Sequence, residues 1–389
     1  MYTKRILIAV IGCMLFIQTN AQEVADMAAA DTKSLALYNA AQWKELMKFG
    51  KAEIAKGVDF PILRMRTGYA AFMIGNFSQS LLQYKKVLDG DAENAVALYY
   101  VYLNNLYLNN ITQARYYAAK LPDETKASEA LRAKKIAGVQ LESSYKMPDD
   151  TTRKNGFYFR AGINIQLGYR FELQQSLASY NQDISEPRLL LIRDNRHIAI
   201  RQNEYYGKLI YAATGNIALL GGYHYLNTPF NNIVYKNSIG FAGIQYKTPY
   251  VHLKAMASFG KVTDTTYTQY DGTITVYPLG NTKLYNITRA AYGDNFTLSN
   301  ILGYGITKKI WLEGNITVGK FTSLLENDGL YVFNDIDQKQ IKAGGSIYAL
   351  LGKNLTLTLN YTFEQKLKYK TTNIYFYQHS LNGGLSWKF

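Results

Sequence analysis

Residues 157–171 read FYFRAGINIQLGYRF. Phe157, Phe159, Ala161, Ile163, Ile165, Leu167, Tyr169 and Phe171 share one parity, and Tyr158, Arg160, Gly162, Asn164, Gln166, Gly168 and Arg170 share the other. A period of two marks a strand with unlike faces. Fifteen residues of it exceed the ~5–6 residues of a typical soluble strand. The pattern returns in residues 251–259, 310–318 and 355–363. Long alternating runs separated by short turns are the signature of a transmembrane β-barrel, apolar side out and polar side in. In lipid, only a helix or a closed barrel pairs every backbone N–H and C=O. The competing reading is a soluble β-sandwich, whose core would be the apolar parity. Composition favours sheet, with 34 Tyr and only 7 Pro.

Turns can be counted from residue 157 onward. Short ones fall at 214–216, 247–250, 278–281, 307–309 and 352–354; longer or more polar ones fall at 181–197, 227–233, 261–266, 293–295, 322–336 and 365–373. The two kinds alternate and predict about 12 strands, an even number as bacterial single-chain barrels require. Both ends of the barrel then lie on the short-turn, periplasmic side. The closing segment LNGGLSWKF places Leu381, Leu385, Trp387 and Phe389 on one face. It resembles the C-terminal signal of outer-membrane proteins, which implies recognition by the barrel-assembly machinery.

The N-terminus MYTKRILIAVIGCMLFIQTNAQ has Lys4 and Arg5, an apolar run from Ile6 to Ile17, and small residues to Ala21. It reads as a signal peptide over residues 1–21, too short to span a membrane as a helix. Gly12-Cys13 resembles a lipobox, but the apolar run continues past it. Cys13 is the only cysteine, so the processed chain has no disulfide and no thiolate metal site.

Residues 22–146 are rich in Ala, Leu, Lys and Glu and read as helical. Trp43, Phe77 and Ile111 each follow a turn and are spaced by 34 residues. Together with Gly68, the Gly75-Asn76-Phe77 turn, Tyr84 and Ala114, this stretch resembles tetratricopeptide repeats. The resemblance implies stacked helix pairs that dock a protein partner. Ala92 stands where such repeats carry Pro, and the first repeat is degenerate. A capping helix is expected over about 124–141, and residues 147–155 read as a linker to the barrel at 156–389. The fold class expected is thus α+β multidomain: a helical array followed by an antiparallel transmembrane barrel.

The formal charge of +14 is unevenly placed: residues 22–150 hold 16 basic and 15 acidic side chains, residues 151–389 hold 25 and 14. Alternation puts Arg160, Arg170, Lys208, Lys254 and Lys342 inside, with Glu204, Glu313 and Glu364. Two readings stay open, an anion-biased lumen and cross-lumen ion pairs that fill it. Location excludes nucleic acid as a partner. His197, His224, His252 and His379 lie in no metal or nucleophile motif, so no enzyme, metal or cofactor is expected. The barrel resembles the YaiO family of outer-membrane proteins around YPLGNTKLYNITRAAYG (277–293) and in its C-terminal strand, a resemblance that implies a fold but no activity. The order signal peptide, repeats, barrel is also that of exopolysaccharide exporters, whose arrays are longer and barrels larger. Two functions follow: a conduit or accessory factor for envelope polysaccharide export, its repeats docking a periplasmic partner, or a non-conducting binding barrel that recruits such a partner.

Overall fold

The computed structural model describes residues 26–128, 135–186, 196–230, 233–262 and 265–389. The expected signal peptide, with Lys4, Arg5 and Cys13, lies outside the described residues. The chain divides into two compact units, Met1–Asp123 and Glu124–Phe389.

In the first unit, α1 (residues 26–39) is followed by α2 (Trp43–Ala55), α3 (Pro61–Met73), α4 (Phe77–Gly90), α5 (Ala95–Tyr107) and α6 (Ile111–Ala118), with α7 (Asp123–Ser128) at the boundary. Trp43, Phe77 and Ile111 are the first residues of α2, α4 and α6. The turn two residues before each has positive φ: Ala41 at 53°, Gly75 at 77°, Asn109 at 56°. The 34-residue period is therefore a backbone period, and Gly75 fills the position where a side chain would be strained. Asn76 caps α4 by accepting from the Gln79 N–H at 3.0 Å. Gly68 is where α3 and α4 touch, since a Cβ there would sit 2.9 Å from the Tyr84 ring. Tyr84 is buried with Leu81, Val87, Ala97 and Val101, and stacks on Tyr100 at 4.7 Å. Ala114 is also buried.

The second unit is a closed antiparallel barrel in which every strand pairs with its sequence neighbours and β1 pairs with β14. Its strands are β1 (Ile136–Pro148), β2 (Gly156–Leu167), β3 (Phe171–Glu186), β4 (Arg196–Ala212), β5 (Ile217–Phe230), β6 (Ile233–Lys247) and β7 (Val251–Val262). They continue with β8 (Thr265–Val276), β9 (Leu284–Tyr292), β10 (Phe296–Gly305), β11 (Ile310–Glu326), β12 (Tyr331–Leu351), β13 (Leu355–Leu367) and β14 (Tyr375–Lys388). Burial decides between the two readings of the alternation. Leu177, Leu209, Leu302, Ile347 and Leu359 are exposed, whereas Gln166, Gln202, Gln269, Lys339 and Ser380 are buried. An apolar exterior around a polar interior is a membrane barrel, not a sandwich. Leu381, Leu385, Trp387 and Phe389 all face outward.

Fourteen strands replace the expected twelve, and the two extra have distinct causes. Residues 168–170 form a three-residue turn, with Leu167 opposite Phe171 and Gly168 at φ 68°. An odd-length turn leaves parity unchanged, so the run 157–171 hides it. The other is β1, which occupies residues expected to be helical or linker. α7 ends at Ser128, and Ile136–Pro148 is a strand with a weak outer face, Val139, Leu141, Ser143 and Tyr145. Residues 149–155 are then the β1–β2 connection, not a linker between domains. Each of the eleven expected connections contains a break between strands, although 181–186, 227–230, 322–326 and 331–336 are themselves strand; β1 begins and β14 ends at the short-turn end.

Two outcomes test this description. Ile347→Arg places a cation on the lipid face and should cost about 2–4 kcal/mol, lowering the urea midpoint of the heat-modifiable folded band. In the helical unit, burial lowers the Lys85 ammonium from 10.5 to about 8 and pushes Tyr100 and Tyr117 up to about 12. From about pH 8 to 10.5 the unfolded chain keeps a Lys85 proton that the folded chain lacks, so stability rises with pH. Above about pH 10 unfolded tyrosines lose protons that folded ones keep, and stability falls. The melting temperature of a residue 22–128 fragment, followed by circular dichroism, should therefore peak between about pH 9 and 10. Lys85→Met should abolish the rise and keep the fall.

Candidate functional site

The lumen is occupied by the chain itself. β11 pairs with β10 only as far as Val318, and β12 pairs with β13 only from Gln338 onward. Between those points, residues 319–337 leave the wall and fold inward. Gly319 makes the departure: its φ is 136°, and a Cβ there would lie 2.5 Å from the Phe296 carbonyl oxygen. The two arms still pair with each other from Ser323 opposite Asn334 to Glu326 opposite Tyr331. Asn327, Asp328 and Gly329, all at positive φ, turn the tip.

This hairpin packs against one half of the barrel through apolar side chains. Leu325 is buried with Leu226, Ile239, Val262 and Tyr267. Phe321 and Leu324 are buried against Ala291, and Leu330 packs on the cluster of Tyr206, Leu220, Phe241 and Met256. Polar bonds fix its register. Gln269 exchanges two hydrogen bonds with the Leu325 backbone, at 2.9 and 3.0 Å. Tyr206 donates to the Asp328 carbonyl at 3.1 Å, and a His224 ring nitrogen lies 2.7 Å from the Gly329 carbonyl.

The expected inner charges can now be placed. Arg160 pairs with Glu142 at 2.7 Å, Lys208 with Asp328 at 2.9 Å, Lys254 also with Asp328, and Lys342 with Glu326 at 2.6 Å. Glu204 lies 3.2 Å from the other His224 nitrogen. Glu313 accepts from Tyr285 at 2.5 Å and Tyr348 at 2.7 Å. Glu364 lies 3.4 Å from Lys366 and 3.7 Å from Lys339. Arg170 is a correction: it sits exposed in the β2–β3 turn, because the hidden turn falls on it. Trp43, Phe77 and Ile111 lie in the helical unit as half-buried helix starts.

Sequence reasoning missed the acidic partners Glu142, Glu326, Asp328, Asp335 and Asp337. The available signal was FTSLLENDGLYVF (321–333), where Asp-Gly sits between apolar arms, a hairpin signature rather than that of a solvated loop.

At the long-loop end, Arg153 binds Asp337 through two bonds of 2.7 and 3.0 Å, both residues buried. Lys368 bonds Asp150 at 2.8 Å. The half of the lumen not filled by the hairpin, between β1–β2 and β12–β14, holds a cavity of about 490 Å³. Its lining runs from Gln140 and Ser386 near the short-turn end to Lys146, Tyr180 and Glu364 deeper in. Tyr158, Tyr331, Asn360 and Asn382 line its flanks.

No protein-family model matches the chain, and no curated protein matches it. Solved structures similar to it include a FadL homologue of Pseudomonas aeruginosa, 10% identical, covering 71% of this chain and 92% of that one, TM-score 0.48. The translocator domain of the autotransporter NalP from Neisseria meningitidis is 12% identical over 73% and 99%, TM-score 0.32. The Acinetobacter baumannii protein Omp33 is 5% identical over 66% and 99%, TM-score 0.37. Omp33 is an outer-membrane protein; similarity this remote carries nothing about function, and the assignment to a membrane barrel rests on the closed sheet and its inverted polarity.

Removing one member of the Arg153–Asp337 pair leaves a buried charge alone. Arg153→Ala or Asp337→Ala should each cost about 3–5 kcal/mol, whereas the double change Arg153→Met, Asp337→Leu should cost little. Thermal midpoints of the heat-modifiable band for the three variants check this.

Proposed function

We propose that this outer-membrane barrel is closed at rest by its own hairpin and acts as a binding or anchoring barrel, with N-terminal helices that recruit a periplasmic partner. The observation that carries the reading is the inward fold of residues 319–337, which fills one half of the lumen with an apolar core and neutralises Lys208, Lys254 and Lys342. The 34-residue backbone period supports a tetratricopeptide-like array. β1 starting at the short-turn end supports a periplasmic place for the helices. Any part in envelope or exopolysaccharide export is then that of an accessory factor, through-passage requiring the hairpin to leave. The YaiO-type resemblance over residues 277–293, now the β8–β9 turn and β9, is consistent with this and adds no activity. The reading is non-enzymatic and needs no cofactor: His224 braces the hairpin tip, and His379 lies 2.7 Å from the Tyr361 hydroxyl on the barrel exterior.

Planar-bilayer recording tests the closure. Wild-type protein should show no steady conductance. Replacing residues 324–333 with Asn-Gly, a two-residue turn that keeps Ser323 opposite Asn334, should open a pore. That pore should prefer anions, because the wall lysines then lose Asp328 and Glu326. Steady conductance from the wild type would overturn the reading.

A further inference from the structure

The cavity left beside the hairpin ends in a cluster of lysines, one of which has no ion-pair partner. Lys339 and Lys366 share Asp335 and Glu364: Lys339 pairs with Asp335 and lies 3.7 Å from Glu364, and Lys366 lies 3.4 Å from each carboxylate. Two ammoniums thus meet two carboxylates. A third ammonium, Lys146 of β1, is on the same cavity wall. Its Nζ stands 4.4 Å from the centroid of the Tyr180 ring, and among the described residues it has no carboxylate within ion-pair distance. The other two lining cations are already matched, Arg160 by Glu142 and Lys342 by Glu326. Glu204, the remaining lining carboxylate, lies 3.2 Å from His224, so Lys146 is the lining cation left without an ion-pair partner among the described residues, a costly state for a cation drawn out of bulk water.

Beyond that cluster, the Arg160–Glu142 and Lys342–Glu326 pairs and Glu204, the lining is uncharged and mostly polar. Tyr158, Ser144, Asn360, Thr362, Ser380 and Asn382 line it. Gly384 is also in the lining, where a Cβ would be in ordinary contact with the Leu141 carbonyl oxygen at 3.5 Å and the Thr358 Cβ at 3.6 Å. The volume of about 490 Å³ falls within the ~300–1,000 Å³ range of small-molecule sites.

We infer that this cavity is a binding site for a small polyhydroxylated molecule bearing a single oxyanion, such as a sugar acid or sugar phosphate, with the oxyanion on Lys146 and the hydroxylated body among Tyr158, Asn360 and Asn382. The inference rests on the closed-barrel reading, because a lumen without the hairpin has no such cavity. The lining extends to Gln140 and Ser386 and includes none of Arg153, Asp337, Lys368 or Asp150, so entry is assigned to the short-turn end.

The test is equilibrium dialysis of the full-length protein in detergent against labelled glucuronate and glucose 6-phosphate, with glucose and inorganic phosphate as controls. One of the two anionic sugars, or both, should bind with one-to-one stoichiometry, and which one does identifies the oxyanion. Lys146→Met should weaken binding about tenfold or more, the loss expected of a hydrogen bond to a charged group, while Lys146→Arg should retain it. The unpaired lysine has its own signature in the empty protein. Lys146→Met should leave the thermal midpoint unchanged or raised, whereas Lys366→Met, which breaks a matched cluster, should lower it. The bound sugar should raise the midpoint of the wild type but not of Lys146→Met. The inference falls if neither anionic sugar binds, if glucose binds equally well, if inorganic phosphate binds as tightly as the sugars, or if Lys146→Met binds like the wild type. Bilayer conductance is read separately: a conducting wild type overturns the closed-barrel reading and this inference with it, whereas a silent wild type that binds neither anionic sugar overturns the inference alone.

Discussion

The pairing of β1 with β14 is the interaction on which the rest depends. From Gly138 opposite Lys388 to Pro148 opposite Gln378, an unbroken antiparallel ladder joins the first strand to the last. Without it the sheet would expose two edges to hydrocarbon, where each unpaired N–H and C=O costs several kcal/mol. Closure also inverts the usual polarity of a fold. The exterior must be apolar and the interior inherits the polar parity, so the lumen collects the side chains that a soluble protein would place in water.

A barrel of fourteen strands is wider than the eight at which inward side chains alone fill the interior. The hairpin answers that excess of width, and it does so with matched chemistry. The wall contributes cations, Lys208, Lys254 and Lys342, and the inserted segment contributes Glu326, Asp328, Asp335 and Asp337. The basic excess read from composition is therefore real, yet much of what faces inward meets an acid on the hairpin. Of the two readings of the inner charges, pairing is the one the structure shows.

How legible this was depended on which local signals survive in one dimension. Period-two alternation fixed the barrel and its orientation of faces, because lipid enforces it along every strand. The 34-residue spacing of Trp43, Phe77 and Ile111 was legible because it is tied to a recurring positive φ at residues 41, 75 and 109. The turn at Gly168 was not, since three residues preserve parity. Nor was β1, whose outer face is interrupted by Ser143. The inward hairpin was invisible for a deeper reason: parity says which side a residue takes within a wall, and residues 319–337 are not in the wall. The acids that meet Arg160, Lys208, Lys254 and Lys342 lie on that segment or on β1, so those candidate residues were found while their pairing was not.

Magnitudes separate what holds the hairpin from what positions it. Phe321, Leu324 and Leu325 are each almost wholly buried, and burying such side chains contributes about 1.5–3 kcal/mol apiece. A buried ion pair, by contrast, roughly breaks even once its desolvation is counted. The Asp328 contacts with Lys208 and Lys254 therefore add little net stability; they forbid other placements, because any shift would strand the buried Asp328 and Lys208 and the half-buried Lys254. Neutralising Asp328 alone would remove that constraint and leave the apolar core intact, so the hairpin would stay in the lumen. Opening the barrel requires removing Leu324 and Leu325 together with the tip. Closure by this segment is thus an apolar packing problem first and an electrostatic one second, the same order in which a soluble core is held and then specified.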